Sequence, residues 1–244
     1  MTNLLSYISN NNFHPHSGIA ILIDPDKMPA EDTMRARIER WEKAGAALFL
    51  VGGSVLHSTQ FHEAVRILKQ YSKIPVVLFP GSALQIDSRA DGILLLSLIS
   101  GRNAELLIGQ HVLAAPMLAA SSLDILPTGY MLIDGGAATS VSYITQTHPI
   151  PHHKPELAAI TALAGEQLGL KCVYLDAGSG AKNSVSPEMV KAVRKAIQIP
   201  IIVGGGIRSA AQIQELRNAG ADLIVLGTAM EENPDELELL DKKF

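Results

Sequence analysis

Cysteine is nearly absent from this chain: Cys172 is the one cysteine among 244 residues. That count excludes an internal disulfide and suits a reducing compartment. No Cys/His pairs occur at the spacing of a zinc site, so neither a structural zinc nor thiolate catalysis is predicted. Cys172 sits inside an apolar run, where a thiol packs as an inert small hydrophobe. Clustered positive charge is missing too. With a formal net charge of -4 and no Lys/Arg face, nucleic acid is not expected as a partner. The longest apolar runs, such as Gly92 to Ile99, fall far short of the roughly 20 residues that span a bilayer. Met1 to Ile8 has neither the basic region nor the apolar stretch of a secretory signal. These absences predict a cytoplasmic location, and they leave contact with a membrane surface open.

What the chain does have is apolar content, 47%, enough for a large core. Its length is close to the roughly 250 residues of one (β/α)8 domain, and length alone would also permit two smaller ones. After a short polar lead, Gly18–Ile23 reads as a strand buried on both faces and ended by Asp24-Pro25-Asp26-Lys27. A helical pattern over Met34–Ala44 stops at Gly45. Ala47–Val51, Pro75–Phe79, Gly92–Leu96, Gly129–Asp134 and Lys171–Asp176 read as the next five strands. A seventh begins at Pro200, and Leu223–Leu226 is the eighth. Helices are expected over Thr59–Tyr71, Asn103–Val112, Glu156–Leu168, Glu188–Ile197, Ala210–Ala219 and Pro234–Lys243. The segment Gly81–Asp91 is too short for a helix with two loops, so the third helix is expected to be missing or replaced. The segment Gly135–Pro155, carrying His148, His152 and His153, reads as a long loop, and such loops are usually functional or mobile.

Strands that alternate with helices and end in Gly, Asp or Ser are the pattern of parallel βα units. The fold class is therefore α/β. Eight units in one domain over residues 1–244 favour a modified (β/α)8 TIM barrel over a doubly wound sheet. The glycines Gly204-Gly205-Gly206 after strand seven and Gly227-Thr228 after strand eight strengthen that choice. Glycine lets a ligand approach backbone N–H groups, and a helix beginning just beyond adds further N–H donors, which together suit a phosphate.

Strand C-termini share one mouth in such a barrel. They gather Asp24, Asp26, Ser54, Ser82, Asp134, Tyr174, Asp176, Gly205, Gly206, Gly227 and Thr228. Asp24 with the Ser54 hydroxyl offers hard oxygen ligands of the kind Mg²⁺ accepts beside waters and substrate phosphates. Each residue also has a plainer reading. Asp24 before a proline forms turns, Ser54 suits a helix cap, Asp176 suits a loop, and Tyr174 suits the core. The three histidines read as a solvated loop, since no Asp or Glu stands among them.

Taken together, Leu22–Lys27, Val51–Ser54, Tyr174–Gly180, Val203–Ile207 and Gly227-Thr228 resemble the motifs of the geranylgeranylglyceryl phosphate synthases. The resemblance runs from about residue 18 to residue 230. The loop Ser142–Pro155 is similar to the second of that family's two groups, related to bacterial heptaprenylglyceryl phosphate synthases. The resemblance implies a barrel whose third helix is replaced, in agreement with the short Gly81–Asp91 connection. It also implies prenyl transfer from geranylgeranyl diphosphate, or another long prenyl diphosphate, to the 3-hydroxyl of sn-glycerol 1-phosphate. Asp24 and Ser54 would bind Mg²⁺. Tyr174, Leu175, Asp176, Ala177, Gly178, Ser179 and Gly180 would hold the glycerol phosphate, with Gly205, Gly206, Gly227 and Thr228 donating to its phosphate. Asp176 would orient the acceptor hydroxyl or act as its base. It stands where many relatives have Glu, and Leu22 stands where some have a basic residue. The resemblance further implies a homo-oligomer, a dimer or a hexamer built from dimers. Ser97, Leu98 and Ile99 are expected along the apolar groove. The alternative enzyme class is a sugar-phosphate isomerase or synthase with Asp24 and Asp176 as its acid/base pair; a non-catalytic phosphate sensor is the third reading.

Overall fold

Along each strand, side chains alternate between two apolar environments, and that alternation sorts this chain into two cores. In β1 (Ile19–Ile23), Ile19, Ile21 and Ile23 face outward, while Ala20 faces inward. In β6 (Cys172–Asp176), Val173 and Leu175 face outward, and Cys172 and Tyr174 inward. A parallel sheet covered on both faces gives its strands such surroundings.

The computed structural model describes residues 3–9, 18–56 and 60–232. Eight parallel strands close in sequential order. Between β1 and β6 lie β2 (Leu48–Val51), β3 (Val76–Leu78), β4 (Gly92–Leu98) and β5 (Asp124–Leu132). Then β7 (Ile201–Gly204) and β8 (Leu223–Leu226) follow, and β8 closes on β1 through the pairs Ile19–Ile224, Ala20–Val225 and Ile21–Leu226. The barrel expected from the sequence is therefore present.

Outside the barrel stand α2 (Glu31–Lys43), α3 (Phe61–Tyr71), α4 (Gln110–Ala119), α6 (Pro155–Gln167), α7 (Pro187–Ala196) and α8 (Ala210–Asn218). Helix α3 shows why they form: Phe61, Ala64, Val65 and Leu68 fall on one face at 3.6-residue spacing and are all buried. Ser186 caps α7 through its hydroxyl, with Pro187 in the first turn, and Ser209 caps α8.

No helix lies between β3 and β4. The connection is held instead by side chains: Gln85 donates to the Gly53 carbonyl at 3.1 Å and accepts from the Gly81 amide at 3.0 Å. Buried Asp87 binds Arg89 and His62. The replaced third helix is thus a polar clasp that ties the β3–β4 loop to the end of β2.

Several local expectations change. The lead into β1 contains α1 (Leu4–Ser9), which buries Leu4 and Ile8 in the inner core. The Leu4 amide binds Asp124, and the Tyr7 hydroxyl binds the Ala47 carbonyl at 2.8 Å, so α1 plugs the barrel's N-terminal end. The segment predicted as helix over Asn103–Val112 is a π-helical turn, Glu105–Gly109, continuing into α4 as far as Ala119. Pro116 lies inside α4, and Ala114 and Leu118 pull its last turn onto the core. Strand β5 begins five residues earlier than expected, because Asp124–Thr128 pair in full register with β4. The long loop contains α5 (Ser140–Thr145), set by a capping box between Thr139 and Ser142. Thr59 and the helix expected over Pro234–Lys243 lie outside the described residues. Among the described residues, no helix is long and apolar enough to cross a membrane.

Candidate active site

The C-terminal ends of the strands surround a cavity of about 710 Å³. Its floor is aromatic. Tyr130 and Tyr174 meet edge to face with centroids 5.6 Å apart, and Phe79 packs against both at 6.0 and 5.1 Å. These rings fill the barrel lumen below the mouth and fix the groups above them.

Asp176 is set into that floor. Its Oδ2 accepts from the Tyr130 hydroxyl at 2.5 Å and its Oδ1 from the Gly178 amide at 2.7 Å. Burial raises its pKa above the usual carboxylate value, against the pull of those two donors. The tyrosines respond in kind: burial, and then the neighbouring Asp176 charge, push both Tyr130 and Tyr174 well above a free phenol. A carboxylate held in place yet unwilling to ionise is a basic carboxylate, suited to taking a proton from a hydroxyl.

On the side of β7 and β8, Gly205 and Gly206 adopt φ of 84° and 68°. A Cβ at Gly205 would lie 2.6 Å from the Gly178 nitrogen, and one at Gly206 would lie 2.9 Å from the Asn183 carbonyl oxygen. No side chain fits in either place. Beyond them the Ser179 and Thr228 hydroxyls stand 3.2 Å apart. Gly180, Gly227 and Arg208 complete this wall. Glycine backbone, two hydroxyls and the Arg208 side chain on one wall are groups of the kind that suit an anion.

Asp24 and Ser54 line the cavity at the ends of β1 and β2. The plain reading of Asp24 also holds: its Oδ1 accepts from the Asp26 amide at 3.1 Å, capping the turn Pro25–Lys27, and its Oδ2 stands 3.6 Å from Lys27 Nζ. A second, apolar pocket joins the cavity at Gly53, Ser54, Phe79 and Tyr130. It runs between β4 and α4, past Ile93, Leu95 and Leu98 to Ala114, beneath Val141 and Ile144 of α5. Its polar groups are mostly engaged: His111 Nε2 bonds the Leu96 carbonyl at 2.8 Å, and Gln110 accepts from the Ala83 amide.

The sequence expectations divide accordingly. Asp24, Ser54, Tyr174, Asp176, Ser179, Gly180, Gly205, Gly206, Gly227 and Thr228 all line the cavity. Leu175 and Ala177 do not; strand alternation turns their side chains into the outer core. The Gly178 amide is already engaged by Asp176. Of the three residues expected along the groove only Leu98 lines it, since Ser97 donates weakly to the Leu107 carbonyl and Ile99 sits in the outer core. The cysteine reading holds: Cys172 is fully buried and its thiol is pushed up to about 12 by burial. His152 Nε2 meets the Ser184 carbonyl at 3.3 Å, and no cluster of three metal-ligating side chains occurs among the described residues. Sequence reasoning missed Phe79, Tyr130, Lys27 and Arg208. Arg208 was findable as the cation two residues after the glycine run. Tyr130 was not, because its pairing with Asp176 depends on the β5–β6 register.

The PcrB family model matches residues 16–242. A geranylgeranylglyceryl phosphate synthase of Spirosoma linguale is 55% identical over 91% of this chain and 88% of its own. One from Pyrococcus abyssi is 43% identical over 86% and 83%. The crystal structure of (S)-3-O-geranylgeranylglyceryl phosphate synthase from Thermoplasma acidophilum, in complex with its substrate sn-glycerol-1-phosphate, superposes with a TM-score of 0.91. It is 32% identical and covers 99% of this chain and 98% of that one. The chain therefore belongs to the PcrB family, among the geranylgeranylglyceryl phosphate synthases.

Proposed function

We propose that the chain is a geranylgeranylglyceryl phosphate synthase: it joins the 3-hydroxyl of sn-glycerol 1-phosphate to C1 of geranylgeranyl diphosphate and releases diphosphate. The observation that carries this reading is the union of two unlike spaces at one mouth. An anion cradle with a basic carboxylate opens directly into a pocket lined by aliphatic side chains. A small phosphorylated acceptor suits the first and a polyprenyl tail the second. A sugar-phosphate isomerase would have no use for the apolar pocket.

In this reading the glycines of the β7 and β8 loops, with Ser179 and Thr228, hold the acceptor phosphate. The glycerol then extends across the aromatic floor toward Asp176. Asp176 orients the attacking hydroxyl and takes its proton as the new carbon–oxygen bond forms at C1 and the bond to diphosphate breaks. Tyr130 and the Gly178 amide hold the carboxylate's geometry and limit how basic it becomes.

Mg²⁺ dependence is part of the same proposal. Asp24 and Ser54 flank Gly53, whose Cβ, if present, would stand 3.8 Å from Asp24 Oδ1. One carboxylate and one hydroxyl make a sparse, hard-oxygen set, which fits an ion that keeps its waters and takes phosphate oxygens for the rest. Mg²⁺ held there would neutralise the departing diphosphate. Lys27, beside Asp24, adds a cation on the same wall. The exposed Leu84 and Ile144 on the rim suit contact with the membrane surface in which a long prenyl donor resides.

Purified protein incubated with sn-glycerol 1-phosphate, Mg²⁺ and prenyl diphosphates of several lengths should yield the ether product with at least one long donor. No ether product with any of them would overturn the proposal.

A further inference from the structure

Beyond their strands, β2 and β3 lead into two loops that lie backbone to backbone. A Cβ on Gly52 would strike the Phe79 carbonyl oxygen, and one on Gly81 would strike the Gly53 carbonyl oxygen. The ladder between the two strands reaches Val51 and Leu78, and the Phe79 amide extends it by donating to the Val51 carbonyl at 2.8 Å. Past that bond the Gln85 side chain takes over. Its Nε2 donates to the Gly53 carbonyl at 3.1 Å, and its Oε1 accepts from the Gly81 amide at 3.0 Å. A primary amide offers the donor and acceptor of a peptide group, so Gln85 serves as one more rung, supplied from outside the sheet.

That rung is firmly mounted. Gln85 is 6% exposed, and its own backbone amide donates to the Ser82 carbonyl at 3.1 Å. Two residues on, buried Asp87 is held by Arg89 and, at 2.7 Å, by His62 of α3. Arg89 donates in turn to the His62 carbonyl at 2.8 Å. What the rung holds is the site. Gly53, Ser54 and Gly81 line the apolar groove, and Gly53 and Ser54 also line the cavity, whereas Gln85 lines neither. The Gly53 carbonyl shares its peptide unit with the Ser54 nitrogen, so its direction sets where the Ser54 hydroxyl stands relative to Asp24.

We propose that Gln85 is a positioning residue for the donor half of the site: it fixes the Gly53–Ser54 peptide, and through it the Ser54 hydroxyl, toward a diphosphate and its Mg²⁺ while touching neither. The nature of that anion rests on the prenyl-transfer reading; the link from Gln85 to Ser54 rests on the two hydrogen bonds. Selectivity separates positioning from a purely structural role. The glycines of the β7 and β8 loops stand on the other side of the mouth, and a support that acts on Ser54 leaves them unchanged.

Calorimetry with inorganic diphosphate and Mg²⁺, and separately with sn-glycerol 1-phosphate, tests this without turnover. Gln85→Met keeps the length of the side chain and removes both bonds. It should weaken Mg²⁺–diphosphate binding by about 10–100-fold, the loss usual when the support of a metal ligand is removed, and leave sn-glycerol 1-phosphate binding unchanged. Gln85→Glu supplies a second measurement should the Met variant not fold. Its protonated carboxyl has a donor and an acceptor as the amide does, while the ionised form faces the Gly53 carbonyl with nothing to donate. Its Mg²⁺–diphosphate affinity, taken as a ratio to the wild type at the same pH, should therefore drop as pH rises and the carboxyl ionises. Full Mg²⁺–diphosphate affinity in Gln85→Met, equal loss of both ligands, or a Gln85→Glu ratio that does not change with pH overturns the role. A wild type that takes up no Mg²⁺–diphosphate overturns it as well. Absence of ether product from a wild type that does bind Mg²⁺–diphosphate overturns the prenyl-transfer reading alone.

Discussion

Replacing Tyr130 by Phe isolates one hydrogen bond at the centre of the site. The ring remains, so its contacts with Tyr174 at 5.6 Å and Phe79 at 6.0 Å are kept. The hydroxyl that donates to Asp176 Oδ2 at 2.5 Å is lost. The acceptor is a carboxylate buried in the lumen, and hydrogen bonds to charged groups are worth about 1.5–3 kcal/mol. That amount should be withdrawn from the ionised form of Asp176 and hardly at all from the protonated form.

The sign follows from burial. Asp176 already holds its proton more tightly in the native state than in the unfolded chain. Its contribution to stability therefore falls as pH rises from the unfolded carboxylate value toward the folded one. Tyr130→Phe extends that fall to higher pH. Denaturant unfolding should show the variant close to wild type at a pH low enough to protonate Asp176, and weaker by about 1.5–3 kcal/mol at a pH high enough to ionise it in the native state. In the same variant the acid limb of kcat/KM against pH should move to higher pH, with the alkaline plateau largely kept. Equal destabilisation at both pH values, or an unmoved acid limb, would refute the pairing as the control on this carboxylate.

Four further outcomes follow from the same geometry. Asp24→Asn should abolish turnover while shifting unfolding by no more than about 1 kcal/mol, since what it loses is a surface pair with Lys27 and part of a turn; retained activity would remove Asp24 from the metal site. Gly205→Ala should cost more than about 1–3 kcal/mol, because φ is 84° and the new Cβ would strike the Gly178 nitrogen. Calorimetry should also show loss of sn-glycerol 1-phosphate binding. Burial would raise Asp87, but Arg89 and His62 overcome it and hold its carboxyl well below the usual range. Its stabilising effect is thus present above about pH 4 and lost as pH falls further, and Asp87→Asn should flatten the acid end of the stability profile. Cys172 should resist thiol reagents in the native protein and react only on unfolding, since burial pushes its thiol to about 12.

What could be read from sequence follows the range over which each feature is determined. Strand ends and glycine loops are local, and short apolar runs stopping at Gly or Asp revealed the barrel and most of its mouth. The missing third helix was also legible, because eleven residues, Gly81–Asp91, leave no room for one. Side-chain direction required register. Leu175 and Ala177 carry the same motif as Asp176, yet the period-2 alternation of β6 turns them outward. Helix α4 runs past its expected end at Val112 to Ala119 for a related reason: burial of Leu118 outweighs the bond that Pro116 cannot make. Tyr130 and Phe79 come from strands far from Asp176 in sequence, and nothing local announced their meeting.

The missing helix is where fold and chemistry join. In a complete barrel an α-helix after β3 would cover the outward faces of β3 and β4. Here the connection is a clasp held by Gln85 and Asp87. It leaves Ile93 and Leu95 of β4 facing a pocket that α4, α5 and the clasp's own Pro80–Ala83 and Ile86 enclose. That pocket meets the cavity at the barrel's mouth at Gly53 and at Ser54, one of the two proposed metal ligands. A bound diphosphate would therefore sit at the junction, its tail led outward through the wall. Filling the opening tests this arrangement directly. Ala114→Trp places a large ring in the groove, far from the glycine cradle. Activity with long donors should fall steeply, shorter donors should be spared, and sn-glycerol 1-phosphate affinity should be unchanged. An equal loss with every donor length would show that the tail takes another path.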